Sequence, residues 1–145
     1  MGLNFHGQVV DEARIKVGFI GCGSHSFRNI YPTFQFAPVE LKAICDLDPK
    51  RALAFASQFG GAKTYTKHQD MLAKEKLDAV FIVTGYDSLG RPTYPPFAKD
   101  ALMAGCHVWM EKPPAASCAE IEMLQAAAKS AAKSVMVGFK KMFMP

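Results

Sequence analysis

The stretch from Ile15 to Ser26 limits this chain more than any other. Ile15-Lys16-Val17-Gly18-Phe19-Ile20 is a mostly apolar run of strand length, and it ends in Gly21-Cys22-Gly23-Ser24-His25-Ser26, two glycines one residue apart with a small residue three further on. The pattern predicts a strand, a tight turn and the start of a helix. In such a turn the first glycine adopts a conformation that a side chain obstructs, and the second leaves the backbone bare for a pyrophosphate to approach. Ser26, the third small residue, lets the helix lie close to its strand. The helix start then presents free N–H groups and a partial positive charge. Many glycine turns after a strand bind nothing, so the context decides. A second strand, Leu41-Lys42-Ala43-Ile44-Cys45, ends at Asp46, about 20 positions beyond the turn, where a carboxylate can hold ribose hydroxyls.

Further along, strand and helix patterns alternate. Residues 1–14 are polar and aperiodic apart from Val9-Val10 and read as a loosely held arm. The first helix should turn Phe27, Ile30, Tyr31 and Phe34 inward, with Pro32 kinking or shortening it. Asp48-Pro49 predicts an N-cap with proline at the first helical position, Gly60 the stop, and Phe55, Ala56 and Phe59 the buried stripe. A short third strand around Ala62–Tyr65 precedes Thr66 and Gln69, spaced as a capping box for a brief helix with Met71 and Leu72 inside. Ala79-Val80-Phe81-Ile82-Val83 is apolar without alternation, as a central strand covered on both faces should be. Thr84-Gly85 follows it, then a loop rich in glycine and proline. A helix from about Tyr94 to Ala104 stops at Gly105, and Cys106–Met110 is the fifth strand. Ser117 with Glu120 opens an alanine-rich helix to about Lys133, and Val135–Val137 is the sixth strand. With right-handed crossovers this is a doubly wound parallel α/β sheet in the order 3-2-1-4-5-6. Its ligand belongs where the strand order reverses, among Gly21, Gly23, Ser24, His25, Ser26, Asp46, Thr84, Gly85 and Glu111-Lys112-Pro113.

Composition narrows the alternatives. A net charge of +4 over 145 residues, with basic and acidic residues interspersed, gives no footprint for nucleic acid or an anionic membrane surface. No apolar run has the length of a membrane span, and the N-terminus lacks a signal-peptide pattern, so a cytoplasmic location is expected. Cys22, Cys45, Cys106 and Cys118 have no metal-ligand spacing and read as buried thiols. His6, His25, His68 and His107 are unclustered, and no metal site is expected. A methyltransferase also pairs a glycine turn with an acidic strand end, but the Glu-Lys-Pro segment at 111–113 speaks against one.

That segment carries a resemblance. Ala101-Leu102-Met103-Ala104-Gly105-Cys106-His107-Val108-Trp109-Met110-Glu111-Lys112-Pro113 is similar to a segment of the glucose-fructose oxidoreductase, inositol dehydrogenase and rhizopine-catabolism dehydrogenases, the Gfo/Idh/MocA family. Gly21-Cys22-Gly23, Cys45-Asp46-Leu47-Asp48-Pro49, Leu77-Asp78-Ala79-Val80 and Val137-Gly138-Phe139 support it in order and at fitting separations. The resemblance covers the chain from residue 15 onward. It implies a Rossmann dinucleotide-binding domain at 15–139, preceded by the arm and followed by a tail, 140–145, leading toward the family's substrate domain, which this chain does not match. It further implies an oxidoreductase moving a hydride between a nicotinamide cofactor and a sugar, polyol or similar hydroxyl compound. Lys112 would be the catalytic residue, beside the reacting carbon. Two stretches depart from the family and carry no role over: Tyr94 stands where a histidine is frequent, after a longer loop at Asp87–Arg91, and Gly138–Phe143 lacks the family's asparagine and arginines.

Asp46 would accept two ribose hydroxyls and repel a 2′-phosphate, so NAD is expected over NADP. The competing reading is a stand-alone dinucleotide-binding or regulatory module without turnover. An apolar tail and a free strand edge beside Val135–Val137 predict a homo-oligomer.

Overall fold

The computed structural model describes residues 2–3, 9–10, 14–60 and 63–139. Six parallel strands form one sheet: β1 (Ile15–Ile20), β2 (Val39–Cys45), β3 (Lys63–Tyr65), β4 (Ala79–Ile82), β5 (His107–Met110) and β6 (Val135–Val137). Their spatial order is β3-β2-β1-β4-β5-β6, the order read from the sequence. Helices α1 (Pro49–Phe59), α2 (His68–Lys74), α3 (Tyr94–Met103) and α4 (Cys118–Ala131) connect them, together with a mixed helix after β1. Within the N-terminal arm the backbone of Gly2–Leu3 pairs antiparallel with Val9–Val10, where a loose segment was expected. The tail at 140–145 lies outside the described residues, as does Ala62.

The two faces of the sheet have different cores. On one, Val80, Ile82, Val108 and Met110 pack against Met71, Ala98, Leu102, Leu124 and Ala127 from α2, α3 and α4. On the other, Phe19 and Ile44 meet Tyr31, Phe55 and Ala56 from the mixed helix and α1. This second core is aromatic. The Tyr31 ring stacks on Phe19 at 4.0 Å and on Phe59 at 4.7 Å, while Phe34 stands edge-on to Phe81.

The caps at α1 and α4 form as their sequences dictate. Asp48 accepts from the Lys50 amide, Pro49 opens α1, and Gly60 ends it with φ of 124°. At α4, Ser117 Oγ accepts from the Glu120 amide, and the Glu120 carboxylate reaches back to the Ala116 amide. Two helices differ from expectation. The first crossover runs as a π-turn at Ser26–Ile30 and then a 3₁₀ helix at Tyr31–Phe36. Pro32 has no N–H to give, and its ring would press on the Arg28 carbonyl of a continuous α-helix, so the winding changes there. The change rotates Phe27 outward: it is 44% exposed, with its ring edge-on to Phe55 and Phe59. At α2, the Thr66 and Gln69 capping box does not form. The helix opens after Lys67 with no side-chain cap, and its first turn is fixed by His68, which meets Asp100 at 2.7 Å and stands edge-on to Phe97.

Cys22, Cys45 and Cys106 are buried free thiols as expected, but Cys118, read from the sequence as buried, is exposed at the first position of α4. Burial pushes the Cys22 thiol up to about 12 and the Cys45 thiol up to about 11, with the Asp46 carboxylate adding to both, and burial also raises Cys106. A raised thiol stays protonated and unreactive at pH 8. Iodoacetamide at that pH should therefore label the native chain at Cys118 alone, and all four cysteines after denaturation. Mass spectrometry showing native labelling at Cys22 or Cys45 would contradict this packing.

Candidate functional site

The carboxyl ends of β1, β2, β4 and β5 meet around a cleft of about 710 Å³. The cleft is floored by the glycine turn. Gly21 donates its N–H to the Cys45 carbonyl at 2.8 Å and has φ of +106°, and a Cβ there would lie 2.1 Å from the Val83 carbonyl oxygen. Only glycine fits a backbone pressed so closely between β2 and β4. Gly23 is different, because a Cβ built on it meets nothing within 4 Å. Its bareness answers no need of the fold and leaves room for a ligand. Ser26 is fully buried at the cleft and its hydroxyl has no partner among the described residues. An orphaned buried hydroxyl beside a bare glycine and a helix start is suited to an incoming phosphate oxygen.

Asp46 closes the β2 end. One carboxylate oxygen accepts from the Cys22 amide at 2.7 Å and the other from the Asp48 amide at 2.9 Å, so the side chain locks the first turn to the second. Arg51 lies 3.4 Å from both Asp46 and Asp48. Oδ1 thus faces both the Asp48 amide and Arg51, while Oδ2 has the Cys22 amide as its one partner among the described residues and keeps a lone pair suited to a ribose hydroxyl.

At the β5 end stand Glu111 and Lys112. Glu111 is nearly buried. One oxygen lies 2.8 Å from His25 Nε2, and the other accepts from the Lys112 amide at 3.1 Å. His25 Nδ1 lies 2.9 Å from the Asn29 side-chain amide. With that amide donating, the neutral ring carries its proton on Nε2 and gives it to Glu111. Lys112 is exposed at the cleft and takes part in none of the ion pairs among the described residues. The loop after β4 is tied at its base by Thr84 and Thr93, whose hydroxyls meet at 2.8 Å, and by Asp87, which accepts from the Leu89 and Arg91 amides and the Arg91 side chain. Tyr94 is buried, and burial beside Tyr86 raises its phenol well above the ordinary range.

The structure thus brings every site residue read from the sequence to one cleft except Pro113, which follows Lys112 through a cis peptide and does not line it. Sequence reasoning missed Ile20, Cys45, Leu47, Arg51, Thr66, His68, Val83, Thr93, Tyr94 and Phe97 as lining residues. Arg51 alone had a signal, three residues after the N-cap Asp48 and so turned toward the β2 end. His68 and Phe97 reach the cleft through α2 and α3 packing, which no local pattern encodes.

A parallel doubly wound sheet with a bare glycine turn at its switch point and a carboxylate at the neighbouring strand end defines a dinucleotide-binding domain. Residues 15–139 match the family model described as "Oxidoreductase family, NAD-binding Rossmann fold", and the chain belongs to this Gfo/Idh/MocA family. Among curated relatives, it is 31% identical over 124 residues to a D-apiose dehydrogenase of Paraburkholderia graminis, covering 86% of this chain and 32% of that protein. It is 30% identical over 127 residues to a dTDP-3,4-didehydro-2,6-dideoxy-alpha-D-glucose 3-reductase of Streptomyces antibioticus, covering 87% and 37%. Among solved structures, the myo-inositol 2-dehydrogenase of Lactobacillus plantarum superposes with a TM-score of 0.79 at 27% identity, covering 91% of this chain and 38% of that one. A 3-ketoreductase from Actinomadura kijaniata in complex with NADP and TDP-benzene gives 0.79 at 28% identity, covering 92% and 39%. The chain spans about a third of the length of the relatives it matches. It is an NAD(P)-binding domain of that oxidoreductase family, and its relatives include sugar dehydrogenases and reductases.

Gly23→Val places a branched side chain in the open space of the turn. Affinity for NADH should fall by about 100-fold or more, the effect of blocking phosphate contact with several N–H donors. Because nothing in the fold occupies that space, the melting temperature should move by only a few degrees. Fluorescence titration and thermal denaturation of the same preparation check both halves.

Proposed function

We propose that this chain forms the cofactor-binding part of an enzyme that moves a hydride between a nicotinamide dinucleotide and a carbon bearing a hydroxyl or carbonyl in a sugar or polyol. The observation that carries the reading is the placement of Lys112, an ammonium free of ion pairs among the described residues, at the β5 end of the cleft that the glycine turn floors. A bound nicotinamide would supply or accept the hydride. The Lys112 ammonium would hold the substrate oxygen by a charge-assisted hydrogen bond as its charge changes. The sugar substrates in the names of the relatives support the substrate class. Saturable NADH binding followed by NADH formation from NAD and a panel of sugars and inositols tests the reading. A chain that fails to bind NADH overturns it, and binding without turnover in the full-length protein would favour a regulatory module.

The cofactor we propose is NAD. Asp46 sits where the adenine-side ribose would lie, and the guanidinium of Arg51 already faces both Asp46 and Asp48, so it is poorly placed to neutralise a 2′-phosphate. Kd for NADH should be about tenfold below that for NADPH, the worth of one unit of charge repulsion near a protein surface. Equal or tighter NADPH binding would overturn the preference.

We propose further that the chain associates with a second copy of itself in a cytoplasmic setting. Four unpaired cysteines suit a reducing compartment. On the aromatic face, Trp109 stacks on Phe81, and Met136, in register with Trp109, is half exposed. Together with the edge of β6, unpaired among the described residues, this is a surface another chain can cover. Light scattering should give a dimer mass, and Met136→Glu should shift it to a monomer. A monomer before substitution overturns the proposal.

A further inference from the structure

We infer that His25 is a clasp which holds the Lys112 strand end in place through Glu111 and which, on gaining a proton, strengthens dinucleotide binding. The inference rests on the dinucleotide-binding reading and adds a regulated step to it. His25 belongs to the first helical turn beyond Gly23, where the pyrophosphate must lie, yet its ring crosses to the opposite strand end and meets Glu111 at 2.8 Å. Glu111 in turn receives the Lys112 amide. Asn29, four residues on in the same helix, fixes the far ring nitrogen at 2.9 Å. These three contacts form one chain from the phosphate turn to the lysine. The imidazole is about half exposed and the carboxylate nearly buried, so the ring faces solvent while its partner is held inside.

Protonation changes this chain in two ways. The His25–Glu111 contact becomes an ion pair, and Asn29 must turn its amide oxygen toward Nδ1, which is then also a donor. A full positive charge also appears at a helix start that already favours anions, and the dinucleotide brings two phosphate charges there. The other titratable and charged groups at the cleft are Glu111 and Lys112 after β5, Cys45 and Asp46 at the end of β2, Arg51 from α1, Cys22 from the glycine turn, Tyr86 and Tyr94 around the loop after β4, and His68 from α2. Arg28 lies on the same helix as His25. The second imidazole, His68, is paired to Asp100.

The test is a fluorescence titration of the chain with NADH from about pH 8.5 to about pH 6, the span over which imidazoles gain charge. Affinity should rise about fivefold as pH falls, the worth of one screened unit charge a few Å from a phosphate. His25→Gln keeps a donor to Glu111 without a titrating group. It should bind NADH with the same affinity at both ends of that pH span and melt within a few degrees of the parent. Asn29→Ala, which leaves the His25–Glu111 pair in place, should keep the rise in affinity at low pH. If affinity does not change with pH in the parent, or if the same change persists in His25→Gln, the clasp is wrong while dinucleotide binding stands. If NADH does not bind at any pH, both are wrong.

Discussion

The closeness of Gly21 to Val83 sets the geometry of the whole carboxyl edge. β1 is central, paired to β2 on one side and β4 on the other, and the chain must leave it at the one place where both neighbours crowd it. The Gly21 N–H bonds to Cys45, and the Val83 N–H bonds to the Ile20 carbonyl. These two bonds hold the turn on both flanks, so the following helix starts from a fixed point. Asp46 extends the constraint sideways by accepting from Cys22 within the turn and from Asp48 at the cap of α1. The carboxylate that the spacing assigns to a ribose is therefore also the brace between two loops. A variant at Asp46 disturbs the fold and the site together, whereas one at Gly23 touches the site alone.

Much of this was legible in the sequence. Strand order, the caps of α1 and α4, and the meeting of the glycine turn, Asp46, Thr84 and Lys112 all followed from patterns within one element plus the handedness of crossovers. The misreadings have a common cause. The break expected at Pro32 is there as a change of winding, but the outward turn of Phe27 onto Phe55 and Phe59 depends on packing that periodicity cannot weigh. The capping box at Thr66 lost to a tertiary contact, His68 with Asp100. The His25–Glu111 pair spans 86 positions and joins two segments that were each assigned to the site for separate reasons. Local signals report which residues reach the edge, but not which of them touch.

The sheet's asymmetry bears on the site as well. Aliphatic helices cover one face across β4, β5 and β6, but the aromatic face is covered by helices mainly over β1 and β2. Phe81 is consequently only partly buried, although its strand reads as covered on both sides, and the stack continues outward to Trp109. Rings suit this margin because they bury large area with few rotatable bonds and tolerate a solvent-facing edge.

That outer margin reaches Glu111. Beyond β6 the chain passes so close to β5 that a Cβ on Gly138 would lie 2.8 Å from the Trp109 ring and 3.4 Å from a Glu111 oxygen. Glu111 is thus enclosed by His25 from the phosphate side and by the Gly138 backbone from the sheet edge. An unpaired carboxylate in such a place would be costly, and the contacts with His25 and the Lys112 amide offset that cost. The glycine after β6 and the histidine after β1 therefore act on the same group from opposite ends of the domain. Between them they leave the Glu111 side chain one orientation, and with it the backbone from which Lys112 extends into the cleft.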